Sequence, residues 1–369
     1  MVQKAHQLGF TLAGVTTAAP PESFPQFQEW VTEGRHAGME YLASERSLVR
    51  RSDPREILPE CRSILVLGSP YFPAGDARGG VAAYATGEDY HHVLKPRLQE
   101  LISFLEEQAG HPVPNRWYTD TGPVLERDLA RRAGLGWIGK NSMLIHPQHG
   151  SYFLLAEILL GIDLPPDEPF LSDHCGSCTR CLDQCPTGCI LPNRTLDAGR
   201  CISYLTIENK ADIPNDVREQ LGEWLFGCDV CQQVCPWNRF APTEGDPAFA
   251  ARPGVPPENL VEELHLSSEA FNRKFRGSPV KRAKRRGYLR NTLVVLGNRK
   301  KREDTVHLMA AAQDPEALVR QHAAWALGRI GGDEVRRFLT AWLADEPDPA
   351  VVNEIRAALA DLDASQDMA

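Results

Sequence analysis

A chain of 369 residues with 42% hydrophobic and 24% charged residues has room for two or three domains and the make-up of an ordinary globular protein, which excludes the exotic composition classes. Its formal net charge of −9 excludes a uniformly basic nucleic-acid coat but leaves room for a local patch. Met1 to Gly9 lack the basic and apolar regions of a secretory signal. The longest apolar run, Tyr152 to Leu164, is short and contains Glu157, so a cytoplasmic chain with no membrane span is expected.

In chain order, Phe27, Trp30 and Val31 have helical spacing, and Met39 to Pro59 reads as arginine-rich helix and loop. Ser63-Ile-Leu-Val-Leu-Gly68 is an apolar run with β-branched residues and predicts a buried strand. Asp89 to Gly110 carries Val93, Leu94, Leu98, Leu101, Ile102 and Leu105 at amphipathic-helix spacing. Trp117 to Pro123 reads as a strand end and turn, with Pro123 opening a helix over 124–133 that Gly134 closes. Gly134 to Ser142 matches G-x-G-x-x-G and nearly matches a phosphate loop, with Asn141 where a metal-binding hydroxyl belongs. Because a helix and not a strand precedes it, a glycine loop lying close to some other large, flat cofactor is the better reading.

Nine of the ten cysteines lie between Cys175 and Cys235. Cys175, Cys178, Cys181 and Cys185-Pro186 have the C-x2-C-x2-C-x3-C-P spacing with which a bacterial ferredoxin segment gives three thiolates to one [4Fe–4S] cube and the fourth to another. Cys228, Cys231 and Cys235-Pro236 repeat the pattern with one thiolate short, and Cys201 is available to supply it. The crossing rule then assigns Cys175, Cys178, Cys181 and Cys235 to one cluster and Cys185, Cys201, Cys228 and Cys231 to the second. Cys61 and Cys189 are left out. Structural zinc and disulfides are the alternatives, and both fit the spacing and the reducing compartment poorly.

Pro242 to Pro257 is a Pro/Gly-rich connection, after which the chain reads as helical. Two Asp-Pro pairs, Asp314-Pro315 and Asp348-Pro349, stand 34 residues apart and open Ala-rich segments that resemble HEAT-type repeats, with an ordinary helical bundle as the alternative. Lys281, Arg282, Lys284, Arg285, Arg286, Arg290, Arg299, Lys300, Lys301 and Arg302 form a cationic segment without an acid among them. It is a candidate for phosphate contacts, and a solvated charge run is the plain alternative.

Asp120-Thr-Gly-Pro123-Val-Leu-Glu126-Arg127, Gly134-Leu-Gly-Trp137-Ile-Gly-Lys140, Cys185-Pro-Thr-Gly, Arg200-Cys201-Ile-Ser203-Tyr204 and Gly227-Cys228-Asp-Val-Cys231-Gln-Gln-Val-Cys235-Pro-Trp237-Asn238 together resemble epoxyqueuosine reductase, a family related to the corrinoid reductive dehalogenases. The resemblance implies an α+β protein in three parts. Residues 1–165 would be an α/β cobalamin-binding catalytic domain, 166–242 a ferredoxin-like domain with two [4Fe–4S] clusters, and 243–369 a helical, HEAT-like tRNA-binding domain. It further implies that the epoxide of epoxyqueuosine at the tRNA wobble position is reduced to queuosine by Co(I) cobalamin, from a cob(II)alamin resting state. The clusters would feed it, and a flavodoxin- or ferredoxin-type partner would feed them.

By the same resemblance Asp120 is the proton donor, and Trp117, Tyr118 and Pro123 are expected to desolvate it as a general acid requires. Without the resemblance Asp120 reads as a turn aspartate. Arg46, Asp120, Lys140, Asn141, Ser142, Ser203 and Tyr204 are the expected cobalamin contacts. His91 and His92 read as substrate-side or structural. A monomer is expected. A dehalogenase acting on a small substrate is the alternative enzyme, and a cluster-bearing electron carrier the alternative outside catalysis.

Overall fold

The computed structural model describes residues 1–71 and 80–367. The fold is α+β, and the chain divides into two units: 1–77, 86–201 and 229–252 make the first, while 78–85, 202–228 and 253–369 make the second.

The first unit is built on an antiparallel sheet. Its strands are β1 (Leu12–Thr17), β2 (Ser63–Pro70), β3 (Asn115–Tyr118) and β6 (Phe153–Leu160), in the order β1-β2-β6-β3, and β4 (Trp137–Ile138) with β5 (Leu144–Ile145) forms a separate hairpin. The run expected as a buried strand is β2, and all eight of its residues are buried, so both of its faces are covered. β1 carries no apolar alternation that would betray it: Gly14 sits where an added Cβ would stand 2.2 Å from the Ala133 carbonyl oxygen.

β6 pairs with β2 on one side and β3 on the other, placing Glu157 between Val66 and Tyr118. Alternation then puts Glu157 on the same face as Phe153, Leu155 and Leu159, which pack with Leu129, Ala130 and Ala133. The helix covering that face is Glu126–Arg132, shorter than the 124–133 expected, with Pro123 and Val124 left in the preceding loop. Its late start has a local cause: Glu126 turns back to accept the Asp120 N–H at 2.7 Å, and Asp120 is left-handed with φ of 59°. The helix Tyr90–Ala109 runs as expected, from an Asp89 cap to a left-handed Gly110.

The second unit is helical. Lys284–Arg299, Ala317–Ile330 and Pro349–Asp367 pack in succession, with Asp333–Asp345 beside the last two. Asp348 caps the helix that Pro349 opens, accepting from Ala350 N at 2.9 Å, whereas Asp314 accepts from Glu316 N at 2.9 Å in the turn before the helix that opens at Ala317. The helix Lys284–Arg299 is buried on every side from Gly287 to Gly297. Within it Arg290 is fully buried and donates to the carbonyls of Leu205, Asn209 and Ala211 and to Asn291 Oδ1. Arg218 and Glu354 form a buried bidentate pair at 2.8 and 3.1 Å. Among the described residues no helix is long and apolar enough to cross a membrane.

Candidate active site and cysteine centre

The two cysteine runs fold into matching turns. Short helices Arg180–Asp183 and Val230–Gln233 occupy corresponding places in the two runs and pack on each other. Cys235 comes within electrostatic reach of Cys175 and Cys178, and Cys181 within reach of Cys175 and Cys235. Burial, then the neighbouring thiols, pushes Cys181 up; burial and the charges of Cys175 and Cys178 also raise Cys235. Such a crowd of sulfurs resists ionising together unless a cationic core sits among them, which is what an iron–sulfide cube provides.

At the other end, Cys185 Sγ lies 3.5 Å from Cys189 Sγ, and Cys189 also neighbours Cys201. Cys189 is therefore a buried thiol next to two candidate ligands, although spacing set it aside. All ten cysteines are free of disulfides. Among the described residues no group of three or more His, Cys, Asp or Glu is arranged round a single metal ion.

The hairpin β4–β5 and its loop hold the cysteine turns. Lys140 Nζ donates to the carbonyls of Gly176 and Cys178 at 2.7 and 3.0 Å, Asn141 Nδ2 to that of Cys231 at 3.1 Å, and Ser142 Oγ to that of Arg194 at 2.8 Å. These three side chains, expected at the flat cofactor, thus hold backbone carbonyls. Trp137 Nε1 donates to Cys175 Sγ at 3.4 Å, and its ring lies 5.1 Å from that of Trp237 and 5.7 Å from that of Phe170.

Asp120 lies on the loop between β3 and the helix Glu126–Arg132. It is exposed, so Trp117, Tyr118 and Pro123 do not wall it in as the sequence suggested. The Tyr90 hydroxyl donates to its Oδ2 at 2.7 Å. A left-handed aspartate is tolerable where a short polar side chain bonds locally, and the turn tightens further through Thr121 N to Thr119 O at 2.7 Å. Gly122 is required here, because a Cβ would stand 2.3 Å from the Tyr118 ring.

Burial falls on the acids behind Asp120. Burial first and the Asp120 charge second push Glu126 up to about 7, and burial with the charges of Glu126 and Asp120 raises Glu157 well above the carboxylate range. The sequence signal for Glu126 was its place in the resembling motif; for Glu157 it was only an acid inside an apolar strand. Arg51, buried, donates to the Gly122 carbonyl at 3.3 Å, whereas Arg46 on the same helix is exposed. His91 stacks on Tyr90 at 4.1 Å and bonds Asp89, while His92 is exposed near Glu88.

Ser203 and Tyr204 belong to the second unit, on the helix Ile202–Ile207. In the cationic segment Arg290 is a correction: fully buried and committed to three carbonyls, it is closed to phosphate. Arg285 is half-buried in an ion pair with Asp314, and Arg282 makes a two-pronged pair with Glu208 at 2.8 and 3.1 Å. Lys281, Lys284, Arg286, Arg299, Lys300, Lys301 and Arg302 are exposed.

Residues 51–121 match the family described as "Epoxyqueuosine reductase QueG, DUF1730". An epoxyqueuosine reductase of Xanthomonas campestris pv. campestris is 40% identical over 338 residues, 89% of this chain and 94% of that protein. The chain belongs to the epoxyqueuosine reductase family. As an epoxyqueuosine reductase it is an oxidoreductase. Residues 174–238 match a "4Fe-4S double cluster binding domain" and 288–360 match "HEAT repeats", which accounts for the cysteine centre and the successive packed helices.

Two solved structures of epoxyqueuosine reductases cover 98% of this chain and 97% of their own at 32% identity. One, with TM-score 0.91, holds an epoxyqueuosine-modified tRNA-Tyr stem loop. The other, from Bacillus subtilis with TM-score 0.89, has its catalytic aspartate loop swung out of the active site.

Proposed function

We propose that this chain reduces the epoxide of epoxyqueuosine at the wobble position of a tRNA anticodon to the cyclopentene of queuosine, using cobalamin fed by two [4Fe–4S] clusters. The observation that carries this reading is Asp120: an exposed carboxylate held by the Tyr90 hydroxyl on a tight loop, in a chain of this family. The relative solved with a modified tRNA stem loop supports the substrate class, and the catalytic aspartate loop of the Bacillus subtilis protein supports the kind of residue.

One cluster is assigned to Cys175, Cys178, Cys181 and Cys235, and the second to Cys185, Cys201, Cys228 and Cys231. A corrinoid suits the surroundings of Asp120, because the exposed Asp120 carboxyl, the Tyr90 hydroxyl that holds it and the exposed Arg127 guanidinium offer it polar partners. Asp120, Tyr90 and Arg127 would face it. Bound there, it supplies a low-potential nucleophilic metal centre that no side chain offers.

The reaction consumes two electrons and two protons and releases water. Asp120 gives a proton to the epoxide oxygen as the ring opens, and the Tyr90 hydrogen bond fixes the carboxyl for that transfer. Lys281, Lys284, Arg286 and the exposed cations from Arg299 to Arg302 hold tRNA phosphates, leaving the wobble base to be presented from an unstacked loop. Electrons come from a flavodoxin- or ferredoxin-type protein in the cytoplasm, and the chain acts as a monomer.

The test is anaerobic reconstitution with iron, sulfide and cobalamin, followed by turnover on tRNA carrying epoxyqueuosine. The expected outcome is about eight irons and about one cobalt retained per chain, with queuosine formed. Clusters without retained cobalt, or cobalt without queuosine, would overturn the reading.

A further inference from the structure

Glu157 is an anomaly in its strand. Its side chain is 0% exposed, and no donor reaches either carboxylate oxygen. The group it faces is the Glu126 carboxyl, on the helix covering the same face of the sheet, with Asp120 also in electrostatic reach. Across the ladder its neighbours are Val66 and Tyr118. Arg51 donates to Ser47 and to the Gly122 carbonyl, and Arg127 to the Ser142 carbonyl, so neither guanidinium is bonded to the two acids.

Two carboxylates in that setting cannot both be ionised, since each is an acceptor and their charges repel in a desolvated place. One proton held between them removes both difficulties. It also accounts for the missing donors at Glu157. The three acids form a graded series: Glu157 is buried, Glu126 half-buried and Asp120 exposed, with Glu126 Oε1 bonded to the Asp120 N–H at 2.7 Å.

We propose that Glu126 and Glu157 share a single proton and that this proton recharges Asp120 within one turnover. The inference rests on the epoxide-reductase reading given above. The conversion takes epoxide, two electrons and two protons to alkene and water. Asp120 delivers the first proton to the ring-opened oxygen, and the shared proton returns Asp120 to its acid form so that it can deliver the second as water leaves. The electrons come from the external reductant through the clusters, and the emptied pair refills from solvent at Glu126. Glu126 and Glu157 are positioning residues that act through Asp120.

Infrared difference spectra of the full cofactor-free chain, taken from about pH 5 to about pH 9, read the shared proton directly. A deuterium-sensitive protonated-carboxyl band is expected to persist well above the ordinary carboxylate range and to fade only as pH rises further. It should be lost in both Glu126→Gln and Glu157→Gln and kept in Asp120→Asn. In the reconstituted enzyme both Gln variants should turn over roughly tenfold more slowly and shift the alkaline limb of the kcat profile, with KM for tRNA unchanged.

A band that survives in Glu157→Gln overturns the shared proton. A band lost while kcat and its pH profile stay put overturns the relay. If the band behaves as expected in a wild-type chain that reduces no epoxide, the substrate reading fails, the relay falls with it, and the shared proton stands. Glu126→Gln lies at the half-buried end and keeps the experiment decisive where Glu157→Gln fails to fold.

Discussion

The helical unit and the sheet unit both bury ionic groups, and they treat them in opposite ways. In the helical unit every nitrogen of the Arg218 and Arg290 guanidinium groups donates a hydrogen bond, to carbonyls, to Glu354 or to Asn291. In the sheet unit Glu157 is equally buried, yet neither of its oxygens has a donor. A fully matched buried charge ties segments together and fixes their register. An unmatched one keeps its ionisation in play, and it lies within electrostatic reach of the aspartate expected to do chemistry.

The largest effect is expected where the matched site is emptied. Arg290→Met leaves the carbonyls of Leu205, Asn209 and Ala211 without that donor in a dry place, and urea denaturation should read a loss of about 3–5 kcal/mol. A loss below about 1 kcal/mol would mean the network is ornamental. On the other side, Asp120→Asn should leave iron content and melting temperature unchanged while turnover falls about a hundredfold or more. Near-normal turnover would remove Asp120 as the acid.

The unmatched acids should also show in stability. Because Glu126 is raised from 4.5 to about 7, the folded chain keeps a proton that the unfolded chain releases in that window. Stability attributable to Glu126 is therefore full below about 4.5 and declines as pH rises through about 7. Thermal melts across that range should be flatter in Glu157→Gln, and a slope equal to wild type would contradict the coupling. His322 runs the other way. Buried and neutral, it is held well below its usual value by burial and by the nearby guanidinium groups of Arg218 and Arg290, so the helical unit should lose stability as pH falls through about 6.5.

Smaller effects belong to groups at the edges of these cores. Trp137→Phe removes an N–H donor from Cys175 and should move that cluster to a more negative potential in a redox titration followed by electron paramagnetic resonance. Lys281 and Lys284 are exposed and make no ion pair among the described residues. Replacing both by Ala should weaken tRNA binding and flatten its salt dependence by roughly two counterions' worth, with no change in melting temperature.

What the sequence disclosed follows from how each feature is encoded. The cysteine turns were legible because their spacing is a covalent constraint, and the last helix because Asp348-Pro349 fixes its start within a few bonds. Glu157 was illegible, since one acid in an apolar strand looks the same whether it faces a cavity, a partner or another acid. Arg290 was misread for a related reason: cations along a segment give no phase when the helix carrying them is buried on every side from Gly287 to Gly297. β1 escaped because its inward positions include Gly14, chosen for how closely a helix backbone approaches and not for apolar area.

The bonds from Lys140 to the carbonyls of Gly176 and Cys178 bear on how the protein is assembled as well as on how it works. They close the first cysteine turn with an ammonium group that is not itself among the thiols, and this contact is expected to shape the turn before iron and sulfide arrive. Insertion then orders little additional chain, and maturation should be limited by delivery of the inorganic parts instead of by folding around them. Amide hydrogen exchange would show it as protection across residues 175–178 in the iron-free chain, lost when Lys140 is shortened.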